Sequence, residues 1–296
     1  SVHSYMHVPC GFETREHQYL YENRPRDVKE PVGAVRFPLW NYLEGEMQAM
    51  DMPRQILEGK PYPLRAIFAL GLNGRMFPDS GRMFKALESL DFFVDTDLFM
   101  TDTAMWADIV LPACSSFERG EFKPYPGGVA WYTSPVIRRI GEAKSDVEIC
   151  TELARVMDLP DEVLKNGYEY FIQHYILDDF GVTVEELKKA DLPVKIAEVS
   201  THKDLEMLAK GLNTPTGKFE LKSAVIEQHP EWGLDPLPTY KEPLDDADPE
   251  EYPFVFTSGS RIPGAIHSRL HKVPRNRSLQ PDPTADMNQA DCDRLG

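Results

Sequence analysis

Short polar residues stand directly after apolar runs at several points in this 296-residue chain, and these are the residues that could do chemistry. Asn73 follows the run Arg65–Leu70, Thr96 and Asp97 follow Asp91–Asp95, and Arg119 sits in a Gly- and Pro-rich stretch. Asp146 opens a helical pattern behind Ser145. In open parallel sheets, ligands bind beyond the C-terminal ends of the strands, where loops carry the polar groups. A carboxylate placed there can accept two hydrogen bonds from a flat NH–C–NH2 edge, and guanine has such an edge. Plainer roles compete with this one. An Asp after a strand also serves as a turn or cap residue, and an Asp at a helix start also complements the helix dipole.

Other chemistries lack their residues. The dinucleotide fingerprint GxGxxG and the phosphate loop GxxxxGK[ST] are both absent, and Ser115-Ser116 lacks the GxSxG frame of a hydrolase nucleophile. Cys10, Cys114, Cys150 and Cys292 form no CxxC pair, which supports neither an iron–sulfur cluster nor a structural zinc; reduced and mostly buried thiols are expected. His3, His7 and Cys10 are separated by Pro9 from any helix that would gather them around a metal.

The elements that must position these residues are readable from residue 65 onward. Arg65–Leu70 is a continuously apolar strand candidate running into the turn signal Gly71-Leu72-Asn73-Gly74. Met83, Phe84, Leu87 and Leu90 then recur at helical spacing, Asp91–Asp95 reads as a second buried strand, Thr101–Thr103 as a cap for Ala104–Ala107, and Asp108–Pro112 as a third strand. This alternation predicts a parallel sheet covered by helices, with the first two strands side by side across a right-handed crossover. Glu118–Gly128 reads as a loop, Val129–Ile140 as strand-like, Asp146–Met157 as a helix capped by Ser145, and Leu164–Leu177 as a further helix. The aromatic residues of that last helix are read as core packing. Residues 40–58 carry helix formers with a break at Pro53, Gly217–Lys222 alternates as a strand, and Pro253–Ser258 opens a new β region. Between them, 241–252 is an acidic, Pro-rich linker.

Composition bounds the function. Hydrophobic residues make up 42%, enough to bury a sizeable core, and a formal charge of −16 argues against a nucleic-acid partner. No apolar run approaches the roughly 18 residues of a transmembrane helix, so no direct membrane insertion is expected.

The stretch DFFVDTDLFMTDTAMWADIVLPACSSFERG, Asp91 to Gly120, resembles the molybdopterin oxidoreductase family, the group of dimethyl sulfoxide reductase, formate dehydrogenase and nitrate reductase. The residues that carry the likeness are Asp97, Thr101-Asp102-Thr103-Ala104, Ala107-Asp108, Leu111-Pro112, Glu118 and Gly120. Further matches follow in order: Gly141-Glu142-Ala143, Ser145–Ile149, Thr214–Leu221, Pro236–Tyr240, Phe256–Arg261 with His267-Ser268, and Asn288–Asp291. Ser260 and Gln289 depart from the residues usual in the family.

The resemblance implies an α/β fold, a parallel sheet with helices on both faces and a Rossmann-like variant, followed by the truncated beginning of a β domain. Residues 1–240 would be the second nucleotide-binding domain behind an irregular N-terminal segment, and 253–296 the start of the family's C-terminal β-barrel. The implied cofactor is a pyranopterin guanine dinucleotide, two copies around one molybdenum or tungsten. Asn73, Thr96, Asp97, Arg119 and Asp146 would line one nucleotide site, with Asp97 on guanine, Arg119 near phosphate or ribose and Asp146 near ribose or base. Ser258, Gly259, Ser260, Arg261, His267 and Ser268 would approach the pterin. No residue matches the family's metal ligand. The chain is therefore expected to be a cofactor-binding part of an oxidoreductase that performs two-electron or oxygen-atom transfer, inactive and metal-free by itself. An iron–sulfur cluster, where the family has one, would belong to an N-terminal part not in this sequence. The implied partners are the other domains of the same polypeptide, then an iron–sulfur subunit and a membrane-anchor subunit, in the cytoplasm or periplasm of a prokaryote. A scaffold of the same fold that has lost the cofactor is the alternative.

Overall fold

The computed structural model describes residues 31–44, 47–125, 127–197, 209–212, 214–241, 248–257, 273–279 and 284–296. It divides into two compact units, Ser1–Pro238 and Thr239–Gly296.

In the first unit, α1 (Pro38–Glu44) and a 3-10 turn at Ala49–Asp51 precede α2 (Met52–Glu58). Pro53 lies in the first turn of α2 and opens the helix instead of breaking it, because its missing N–H is one that a first turn leaves unpaired anyway. Then come β1 (Ala66–Leu70), α3 (Ser80–Glu88), β2 (Phe92–Asp97) and β3 (Ile109–Pro112). The three strands form one parallel sheet in the order β1-β2-β3, with Ala69 opposite Asp95 and Val94 opposite Ile109. The expected juxtaposition of β1 and β2 is therefore met.

One face of this sheet is covered by α2 and α3. Ala69 and Phe93 pack there against Met52, Ile56, Met83, Ala86 and Leu87, and the α3 residues fall at the i, i+3, i+4 spacing of a single buried stripe. Phe93, Asp95 and Asp97 alternate onto this face, whereas Val94 and Thr96 point to the other.

Beyond β3 the chain builds a second sheet. β4 (Glu121–Tyr125) pairs antiparallel with β5 (Val129–Thr133). α4 (Asp146–Val156), α5 (Glu162–Asn166), α6 (Tyr168–Ile172), a π-helical turn at Gln173–Leu177 and α7 (Val184–Lys189) follow, and β6 (Val194–Lys195) closes the sheet in the order β4-β5-β6. Phe122, Ala130, Tyr132, Ile172, Leu177 and Leu187 make its core, with Tyr168 and Phe171 packed alongside, as expected of those aromatics.

Five sequence expectations need correction. The stretch 118–128 is not all loop, since it contains β4; Pro124 is tolerated because β4 lies at the sheet edge. The β5 strand stops at Thr133, short of Ile140. Leu164–Leu177 is not one helix, because Gly167, at φ 83°, separates α5 from α6. Gly217–Lys222 forms no strand: Gly217 turns at φ 67°, and the Glu220 carboxylate curls the segment by accepting from the Thr216 amide at 3.1 Å and the Ala224 amide at 3.1 Å. In the second unit, residues 253–257 are not in a strand, and Val255 and Phe256 are exposed, with no strand partner among the described residues. The cysteines also differ from one another: Cys114 is buried, Cys150 half-buried and Cys292 exposed.

Candidate nucleotide site at the C-terminal edge of the parallel sheet

The loops that leave β1 and β2 are held together by side chains that the sequence pattern had marked. Gly71 continues the ladder, its amide donating to Thr96 O at 2.8 Å, and then turns at φ 68°. Asn73 follows and caps the short helical turn Gly74–Met76 by accepting from the Arg75 amide at 3.0 Å. The Gly74 amide donates to Thr103 Oγ1 at 2.9 Å, a buried bond joining the two loops. A side chain at Gly74 would crowd the Phe84 ring at 3.3 Å, so glycine permits this approach. Arg75 pairs with Asp102 across the same junction at 2.9 Å.

Several motif residues are thereby assigned to architecture. Thr103 holds the β1 loop, Thr101 caps the turn at Ala104 with a 3.1 Å bond, and Asp108 accepts the Phe93 amide at 2.7 Å. Glu118 accepts from the Ser115 amide and hydroxyl at 2.8 and 2.7 Å and from the Ile140 amide at 2.8 Å. Those bonds, led by the Ser115 amide, hold its carboxyl below the usual range.

Asp97 and Thr96 remain partly unspent. Asp97 is half-buried at the end of the central strand; its Oδ1 accepts from the Leu98 amide at 2.6 Å and the Phe99 amide at 3.3 Å. That turn fixes the carboxylate, and Oδ2 has no partner among the described residues. Thr96 is buried, and its Oγ1 has no hydrogen-bond partner among the described residues. The two side chains leave opposite faces of the strand, so they do not converge on one atom of a ligand.

The residue that sequence reasoning missed is Asp95. It is fully buried on the helix-covered face beside Ala69, and neither carboxylate oxygen has a hydrogen-bond partner among the described residues. Burial, with the Asp97 charge next, pushes its pKa up to about 6; the Leu72 and Thr96 amides oppose this without reaching hydrogen-bond geometry. The alternation of β2 already placed it on the same face as Phe93, which is the signal that could have found it.

Arg119 and Asp146 form a second group, one strand further along. Ala113 N–H donates to Asp97 O at 3.0 Å, and Cys114 N–H donates to Lys144 O at 2.8 Å, so the chain entering α4 runs beside the end of β3. Ser145 and Glu148 make a reciprocal capping box there. Arg119 is committed to Glu121, with Nη2 at 2.8 Å, and the Asp146 carboxylate lies close enough to favour its charge. Arg119 also lines a cleft of about 630 Å3 with Arg139, Ser145 and Tyr168. Ser258, Gly259, Ser260, Arg261, His267 and Ser268 lie outside the described residues, as do His3, His7 and Cys10. No group of three or more His, Cys, Asp or Glu able to hold a metal occurs among the described residues, and none of their helices is long and apolar enough to cross a membrane.

Residues 46–156, the part that contains this edge, match the family described as molybdopterin oxidoreductase. The probable oxidoreductase YoaE of Bacillus subtilis is 32% identical over 253 residues, which is 83% of this chain and 35% of that protein. Acetylene hydratase of Syntrophotalea acetylenica is 34% identical over 246 residues, 80% of this chain and 32% of that protein. Among solved structures, acetylene hydratase from Pelobacter acetylenicus superposes with a TM-score of 0.68 at 28% identity, covering 84% of this chain and 34% of that one. The chain thus spans about a third of the length of these relatives.

Proposed function

Because this chain belongs to the molybdopterin oxidoreductase family, we propose that the C-terminal edge of β1 and β2 binds the guanine dinucleotide end of a pyranopterin cofactor. The observation that carries this reading is Asp97: a carboxylate fixed by its own turn at the end of the central parallel strand, with one oxygen still free to accept. The residues present fit such a group. The buried, unpartnered hydroxyl oxygen of Thr96 is an orphan that a bound ligand or water can satisfy. The loop of Asn73 leaves the same sheet edge, tied to Thr96 by the Gly71 amide.

Asp97 would hold the N1–H and N2–H2 edge of guanine. Arg119, already half-neutralised by Glu121, would offer its remaining N–H donors to ribose or phosphate, and Asp146 would face the ribose. When bound, the cofactor supplies a molybdenum or tungsten centre for two-electron or oxygen-atom transfer. The part of this chain is to bind and orient one nucleotide arm. The exposed apolar side chains beyond β2, Leu98, Phe99, Met100 and Met105, are a surface that the rest of the polypeptide would cover. Ser258–Arg261, His267 and Ser268 are proposed to approach the pterin on the sequence resemblance alone.

Calorimetry with guanosine and adenosine diphosphates tests the reading. Adenine presents an acceptor at N1 and has no N2 amine, so Asp97 would face a lone pair; an unpaired group of this kind costs roughly 1–3 kcal/mol, about tenfold or more in affinity. The guanine nucleotide is expected to bind more tightly, and Asp97→Asn to erode the preference. Equal binding of the two nucleotides, unchanged in the variant, would reduce Asp97 to a turn residue.

A further inference from the structure

The loops that leave β1 and β2 meet at one buried hydrogen bond, and Thr103 supplies its acceptor. The short turn Gly74–Met76 leaves its first N–H groups without partners of its own, as every helical start does. Asn73 takes two of them, the Arg75 amide on its side chain at 3.0 Å and the Met76 amide on its carbonyl at 3.1 Å. The Gly74 amide is left over. It donates across to Thr103 Oγ1 at 2.9 Å, 29 positions later in the chain. A buried N–H without an acceptor is strongly disfavoured, so this bond fixes where the β1 loop lies.

Thr103 is itself held firmly. It is buried, and its turn is closed by the Ala104 amide on Thr101 Oγ1 at 3.1 Å, the Met105 amide on Thr101 O at 3.1 Å and the Trp106 amide on Thr103 O at 3.0 Å. Asp108 then ties this turn to the start of β2, with its carboxylate on the Phe93 amide at 2.7 Å and its own amide on Phe93 O at 2.8 Å. The other side of the junction is equally close. A Cβ on Gly74 would stand 3.3 Å from the Phe84 ring and 3.5 Å from Thr103 Oγ1. Arg75 reinforces the contact from outside, paired with Asp102 and lying over the Phe84 ring at 5.1 Å.

We propose that Thr103 is a positioning residue for the nucleotide edge: its hydroxyl holds the β1 loop of Asn73 in place beside Asp97 before a nucleotide arrives. The inference rests on the reading of that edge as a nucleotide site. Thr103 is buried behind the loops and acts through Gly74, not on the ligand. With the tie in place both loops are ordered in advance. Without it the nucleotide must immobilise the β1 loop as it binds, which weakens affinity about three- to tenfold. Linkage makes the effect reciprocal: saturating nucleotide strengthens the tie by the same factor.

Calorimetry with guanosine diphosphate and NMR hydrogen exchange at the Gly74 amide of the 296-residue chain test this. Thr103→Val keeps the shape and removes the acceptor; Thr103→Ser keeps the acceptor. Thr103→Val is expected to bind about three- to tenfold more weakly and to exchange Gly74 about tenfold faster or more, and Thr103→Ser to restore both. A merely structural role would lower the denaturation midpoint and leave the affinity of the folded chain unchanged. In wild type, saturating guanosine diphosphate is expected to slow Gly74 exchange about three- to tenfold, and this arm decides alone if Thr103→Val fails to fold. Affinity of Thr103→Val equal to wild type, or Gly74 exchange indifferent to bound nucleotide, would overturn the positioning role and leave the nucleotide reading standing. No binding of guanosine diphosphate to wild type would overturn both.

Discussion

Asp95 and Asp97 stand two residues apart on the same face of one strand and do opposite things. Asp97 is held by two backbone amides at the rim, whereas Asp95 is sunk behind it with no hydrogen-bond partner among the described residues. Asp95 should leave a signature in stability. Its folded pKa, about 6, lies above the ordinary aspartate value of 3.8. The folded state therefore holds a proton that the unfolded state has released between those two values, and this residue's contribution makes stability fall as pH rises from about 4 to about 6. Above that window the cost is complete, on the order of 1–3 kcal/mol. Asp95→Asn should remove this slope, so urea denaturation at pH 4, 5, 6 and 8 is expected to show wild type losing stability relative to the variant across the window and no further above it. A difference between the two proteins that is flat in pH would mean that Asp95 stays ionised in the fold. At this scale the position of Asn73, Thr96 and Asp97 at strand ends was legible in the sequence, because short polar residues after apolar runs mark such ends. For Asp95 the alternation of β2 marks the face it shares with Phe93, but not how deeply it is buried, because that depends on contacts between elements distant in the chain.

At the scale of elements, the parallel sheet followed from continuous apolar runs, while the second sheet did not. Its edge strand β4 is hidden by Pro124 and by the glycines around it, all of which read as loop until the pairing of Phe122 with Tyr132 is known. One of those glycines is held by packing and not by backbone conformation. A Cβ at Gly120 would come within 2.7 Å of the Tyr132 ring and hydroxyl. Tyr132 cannot move cheaply, because it lies in the core of the second sheet, bonds Glu169 at 3.1 Å and lies under Lys188. Gly120→Ala is expected to cost about 1–3 kcal/mol, read as a lowered denaturation midpoint at unchanged slope. A loss below half a kcal/mol would show that the Tyr132 ring can slide aside. The same reasoning explains why Gly217–Lys222 alternates like a strand and is not one: alternation creates a face, but only a partner strand makes it a sheet.

At the scale of the whole molecule, the chain carries the C-terminal edge of a parallel sheet with polar groups arranged along it, and about a third of the length of its relatives. Its charge of −16 suits a ligand that is recognised by fixed dipoles and one committed arginine rather than by a basic field. The proposed nucleotide arm would lie across the loops after β1 and β2. Backbone-amide NMR of the isotopically labelled chain during titration with guanosine diphosphate tests it most directly. Saturable shifts are expected at Leu98 and Phe99, whose amides hold Asp97, and at Gly71, Leu72 and Asn73 beside them, with those five weakened together in Asp97→Asn. Shifts that saturate elsewhere in the chain, while Leu98 and Phe99 stay still, would contradict it.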